Sequence, residues 1–170
     1  MSTDGEPLRG PTGETVRTNV KRLREARNLS LRGLAQLTAD FGYPLGHSAI
    51  NQIEKGARRV DVDDLFILAV ALDVSPITLL MPRADRPDEQ VTVTGLGEFD
   101  ARSVWDFLIA MHNRITTPPL DDLWDVSNVE WRMRSRPRWD SESPPADLVR
   151  QARDEVIKLL ARGDTIDGND

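Results

Sequence analysis

Helix breakers punctuate the chain between Val16 and Pro82 so often that only short helices fit between them. Val16, Val20 and Leu23 recur at i, i+4 and i+7 with basic residues off that stripe, which is the pattern of an amphipathic helix ended by Asn28. Ser30 is a good N-cap for a second helix, "LRGLAQLTAD", with Leu34, Ala35 and Leu37 facing inward. "FGYPLG" holds two glycines and a proline in six residues and forces a turn. A third helix from 47 to 55 stops at Gly56. The fourth begins at Asp61, places Asp64 near its positive end and buries Leu65, Leu68, Ala69 and Leu72. The fifth opens on Ser75 and Pro76, carries Ile77 and Leu80, and stops at Pro82. The expectation is an all-α domain of five short helices over 14–82, after a flexible arm over 1–13.

The third of these helices is unusual in what it leaves outside. In helical geometry Ala49, Ile50 and Ile53 share one side, while His47, Ser48, Asn51, Gln52 and Lys55 share the other. A polar face is usually only a solvated one, and His47 by itself could equally cap its own helix. Charge distribution argues for more. The whole chain carries a net charge of −6, which is unfavourable for contact with phosphates. Residues 15 to 59, however, hold nine basic side chains against the three acids Glu25, Asp40 and Glu54, so this stretch is +6. Residues 85 to 170 hold eleven basic and eighteen acidic residues, a net of −7. A basic binding module with an acidic companion has this two-part character.

The order of motifs resembles the XRE-type helix-turn-helix family, which includes the repressors and Cro proteins of lambdoid phages. "LREARNLSLRGLAQLT" followed by "SAINQIEKGARRVDVDDLFILAVALDVSPITLL" carries the resemblance, over about residues 15–82. It implies that the second and third helices form the motif and that the third lies in the major groove of double-stranded DNA. Matched backwards from "IEKG", the base-reading positions fall on His47, Ser48, Asn51 and Gln52. Asn and Gln can each pair bidentately with adenine, and Ser can donate or accept. The resemblance further implies backbone contacts from Arg32, Lys55, Arg58 and Arg59, and a pairing of Arg24 with Glu54; two independent surface charges are the alternative for that pair. One departure is an insertion of about four residues around Tyr43 and Pro44, absorbed by a longer second helix or by a small loop.

"PRADRPDEQ" is polar and proline-containing and marks a linker over 83–90. An accessory region over 91–163 and a flexible tail over 164–170 follow. "VTVT" at 91–94 reads as a short strand, "DARSVWDFLIAMHN" as a helix containing His112, and "SPPADLVRQARDEVIKLLARG" as another ending at Gly163. This region is expected to be mostly helical with at most a short strand. All four tryptophans (105, 124, 131, 139) lie in it, which implies a small core or an interface. In "WRMRSRPRW" the arginines 132, 134, 136 and 138 alternate, so an extended segment would point Arg132, Arg134, Arg136 and Arg138 one way, toward phosphates or a narrow minor groove. Ion pairing with the many carboxylates of this half, with Trp131 and Trp139 packed as core, is the preferred alternative.

Composition limits the chemistry. With no cysteine, and two histidines 65 positions apart, there is neither a thiol nucleophile nor a convincing metal cluster, so no cofactor, metal or catalytic residue is expected. The 39% hydrophobic and 29% charged content is that of a soluble globular chain, and "MSTDGEPLRGPTGE" has neither the basic start nor the apolar stretch of a signal peptide. The expectation is a cytoplasmic, sequence-specific transcriptional regulator that is not an enzyme. Repression is the favoured mode, as a phage immunity repressor or a bacterial regulator, with dimerisation through the C-terminal region. The rival is a protein-interaction or antitoxin-type module in which DNA binding is secondary.

Overall fold

The computed structural model describes residues 10–113, 115, 126–137 and 139–140. It divides into two compact units, one ending at Ile109 and the other beginning at Ala110. Among the described residues there are seven helices and one two-stranded sheet. The helix expected after Pro144, Trp124, Arg138 and the tail lie outside the described residues.

In the first unit, α1 (Pro11–Ala26), α2 (Leu31–Asp40), α3 (His47–Glu54), α4 (Val62–Ala71) and α5 (Pro76–Leu80) enclose one core. Val20, Leu34, Ile50, Ile53, Leu68, Leu72 and Leu79 are at its centre. The starts follow side-chain chemistry: Ser30 accepts from the Gly33 amide, Asp61 from the Asp64 amide and Ser75 from the Ile77 amide, each relieving an amide that the helix cannot satisfy itself. The stops share one backbone device. After α1 to α4, Asn28, Gly42, Gly56 and Asp73 take positive φ. The amide that follows each of them reaches back to the carbonyls of Arg24, Thr38, Gln52 and Ala69 respectively.

The insertion between α2 and α3 is a small loop rather than an extension of α2. After the turn at Gly42, Leu45 drops into the core, and its amide donates to the buried Thr38 Oγ1 at 3.1 Å. Thr38 thereby ties the loop to α2, and Gly46 opens α3. Sequence patterning missed Leu45 because a single apolar residue between Pro44 and Gly46 shows no period.

Two boundaries move. The first helix begins at Pro11, so 11–13 are helical rather than part of the arm. Gly10 has no side chain with which to cap it, and Thr94 supplies the acceptor instead: the Thr12 amide donates to Thr94 Oγ1 at 3.1 Å, and the Thr94 amide donates to Thr12 Oγ1 at 3.1 Å. A Cβ on Gly10 would collide with the Thr94 side chain. Residues 83–90, read as a linker, are folded into this unit. Beyond them β1 (Gln90–Val93) and β2 (Gly97–Asp100) pair antiparallel, with Val91 opposite Phe99. One strand was expected here, and the second was concealed by its glycine and acidic residues. The helix expected over 100–113 is α6 (Ala101–Leu108), capped by Asp100.

The second unit contains α7 (Val126–Ser135). "WRMRSRPRW" therefore begins in a helix and not in an extended segment, and two positions along a helix do not bring Arg132 and Arg134 to one side. Arg134 is exposed beside Glu130, at 3.9 Å. Arg136 is largely buried, its Nε donating to the Ala110 carbonyl at 2.9 Å. Trp139 is exposed and Trp131 half-buried. His112, expected on a helix, follows α6 instead and is buried, with Nε2 at 3.1 Å from Asn128 Nδ2. No helix among the described residues is long and apolar enough to cross a membrane.

Candidate nucleic-acid interface

The α3 helix divides its residues as its sequence does. Ile50 and Ile53 are fully buried and Ala49 packs against the same core, while His47, Ser48, Gln52 and Lys55 are exposed and Asn51 is half-buried. His47 and Ser48 occupy the first turn, directly after the glycine cap and the loop. Gly46, the N-cap residue, offers no side-chain acceptor to the first turn.

The orientation of α3 is held from behind. Arg24 of α1 forks onto Glu54, with Nε 2.6 Å from Oε1 and Nη2 2.8 Å from Oε2. Its remaining nitrogen donates to the Leu29 carbonyl at 2.8 Å, so one guanidinium connects α1, the start of the segment leading to α2 and the end of α3. Both side chains are nearly enclosed. The hydrogen bonds to Glu54 are the main reason that the Arg24 pKa lies above its ordinary value. A second arginine of α1, Arg17, donates to the Glu54 carbonyl at 2.7 Å and pairs with Glu14. The C-terminal end of α3 thus has two clasps from α1, leaving its N-terminal turns to face outward.

Around that face stand the expected phosphate contacts. Arg32 in the first turn of α2, Lys55 after α3 and Arg59 in the following loop are exposed. Arg58 is engaged: its Nη2 lies 2.7 Å from Oδ2 of Asp64, which is fully buried in the first turn of α4. Part of that guanidinium therefore locks the loop after α3 onto α4, a role that sequence reasoning did not assign to it. The neighbouring Tyr43 hydroxyl is raised above its ordinary pKa, first by loss of solvent and then by the Asp61, Asp64 and Asp63 carboxylates. Of the Arg132, Arg134, Arg136 and Arg138 set, Arg138 lies outside the described residues, Arg132 and Arg134 stand on α7, and Arg136 is turned inward onto a backbone carbonyl.

Five short helices, the second and third joined by a turn, with a polar outward face on the third and basic residues flanking it, define a helix-turn-helix domain. The helix-turn-helix family profile matches residues 20–79. Neither the curated proteins nor the solved structures contain a match to the chain. The chain carries an XRE-type helix-turn-helix domain, the DNA-binding domain of transcriptional regulators. This is a DNA-binding regulatory fold and not an enzyme family.

Proposed function

We propose that this transcriptional regulator reads a specific operator in the major groove of double-stranded DNA through His47, Ser48, Asn51 and Gln52, and represses by occupying a site that overlaps a promoter. The observation that carries the reading is the outward polar face of α3 on a helix clasped from behind by Arg24 and Arg17. A base-reading helix must hold its side chains in a fixed register, and a bidentate contact from Asn51 or Gln52 to adenine is worth about 1–3 kcal/mol of discrimination. Arg32, Lys55 and Arg59 supply the sequence-independent attraction to phosphates. Arg58 adds to it with the nitrogens that Asp64 does not occupy. Dimerisation through the C-terminal region completes the reading, since two copies related by a two-fold axis bind half-sites about 34–36 Å apart.

Selection of the full chain against a random double-stranded DNA library tests it. Enrichment of one defined site is expected, as inverted half-sites for a dimer, and Gln52→Ala should relax the preference at one position of the site. Arg59→Ala should weaken binding to all sequences alike and lower the slope of log affinity against log salt by about 1. Absence of any enriched site at low salt would sink the reading. A transcription assay on a promoter bearing the selected site then separates repression from activation.

A further inference from the structure

On the side of α1 turned away from α3, the first unit holds a cavity of about 480 Å³. Its volume is in the range of small-molecule sites, about 300–1,000 Å³. Positions 19 and 22 face it. At about 100° per residue along a helix, they lie opposite Arg17 and Arg24, which hold α3. Asn19 is buried and spends its amide nitrogen on the carbonyls of Thr78, Leu79 and Met81, at 3.3, 3.1 and 2.8 Å. That leaves its oxygen to accept from Arg22 Nη2 at 3.2 Å.

The walls are strongly cationic. Arg22, Arg83, Arg86 and Arg102 line the cavity against the single acid Asp85, and Trp105 forms one side. Three of the arginines are answered by carboxylates. Arg83 lies 3.7 Å from Asp85 and Arg86 3.2 Å from Asp88, while Arg102 Nε is 2.9 Å from both Asp106 oxygens. Arg22 differs from them. Among the described residues its Nε is buried and meets no acceptor. A buried donor without an acceptor costs free energy, and in a native structure it calls for a specific explanation. Arg22 thus stands at the cavity wall with no carboxylate answering it among the described residues, and its planar guanidinium suits a carboxylate or a phosphate. Trp105, two-fifths exposed at the same cavity, offers an aromatic wall for a flat ring.

We propose that this cavity binds a small molecule in which an oxyanion is joined to a planar aromatic ring, the oxyanion on Arg22 and the ring against Trp105. Two probes distinguish the sources of that chemistry, salicylate for aromatic carboxylates and adenosine monophosphate for nucleotides, with inorganic phosphate as the ringless control. Calorimetric titration of the full chain without DNA is expected to show saturable binding of at least one ringed probe, tighter than that of phosphate. Arg22→Gln should weaken it by at least about tenfold, and Trp105→Leu should weaken the ringed probe but not phosphate. Lys21→Gln, on the exposed side of α1, should leave it unchanged. If Arg22→Gln does not fold, Arg22→Lys carries the test, because it keeps the charge but loses the planar fork and should still bind more weakly. Failure of both ringed probes to saturate, phosphate binding as tightly as they do, or affinity indifferent to Arg22 would each overturn the proposal. Because DNA is absent from the titration, none of these outcomes bears on base reading.

Discussion

Glu54 at the end of α3 and Asp64 at the start of α4 are both buried carboxylates opposite an arginine, yet the two sites are built differently. Glu54 has both oxygens bonded by Arg24, and Arg24 spends its third nitrogen on a carbonyl. Asp64 has one oxygen on Arg58, while the other is buried without a partner among the described residues. Its pKa is accordingly raised, by burial first, against the pull of Arg58 and with Asp61 and Asp63 adding repulsion. Burial of a charge is thus a poor measure of what it contributes. The number of its lone pairs that find donors decides whether a site clamps or merely tolerates. The clamp sits behind the outward-facing helix and the tolerant site beside it, at the loop that follows.

The largest effect is expected at the clamp. Arg24→Ala leaves Glu54 enclosed without its bidentate partner and should cost about 3–5 kcal/mol in urea unfolding. The double replacement Arg24→Met with Glu54→Leu removes both charges and should cost much less than the single change. If Arg24→Ala costs under about 1 kcal/mol, the pair behaves as a surface ion pair and the contrast with Asp64 collapses.

Arg58→Ala should cost less, about 1–3 kcal/mol at neutral pH. Arg58 is partly exposed, and Asp64, whose pKa is already raised, can take up a proton when its partner is removed. The cost should therefore shrink on acidification. A cost that stays constant between pH 7 and pH 5 would mean that Asp64 does not take up a proton on losing Arg58.

What could be read from the sequence follows the same division between local and distant partners. The caps Ser30, Asp61 and Ser75 and the stops at Asn28 and Gly56 act within a few residues, so their chemistry is visible in the chain. The two faces of α3 are likewise local, because period alone separates Ile50 and Ile53 from Asn51 and Gln52. Thr94 caps α1 from 82 positions away, and the Arg102 amide bonds to the Pro87 carbonyl only because α6 folds back on the segment read as a linker. Leu45 enters the core through Thr38. The arginines after Trp131 show the converse. Their alternation has meaning only in a strand, and Asn128, buried against His112 and Asn113, belongs to a helix whose inward side cannot be told from its charges.

Asp61 sharpens the comparison from the backbone side. Its carboxylate caps α4 by accepting from the Asp64 amide at 2.8 Å, and Asp61→Ala should cost about 1 kcal/mol through loss of that cap. Part of the loss returns, because removing Asp61 also removes a negative charge that disfavours ionised Asp64. Asp61→Asn keeps an acceptor and removes the charge. It should be the more stable of the two variants by thermal unfolding, and the reverse order would mean that the hydrogen bond from the Asp64 amide contributes nothing to the start of α4.

The smallest change in stability, and the most diagnostic, is expected from Asp64→Asn. The amide keeps an oxygen for Arg58 and eliminates the buried charge, so the net effect at neutral pH should be within about 1 kcal/mol. Its signature is the pH dependence. A carboxyl whose folded pKa is raised holds its proton more tightly in the folded state than in the unfolded one. Its contribution to stability is therefore fully present at acid pH, below the ordinary aspartate value, and is lost as pH rises through the raised value. The stability of the parent minus that of Asp64→Asn should fall across that window as pH increases. A difference that rises instead would mean that Arg58 lowers the Asp64 pKa overall, and the two carboxylates would then be clamps of the same kind.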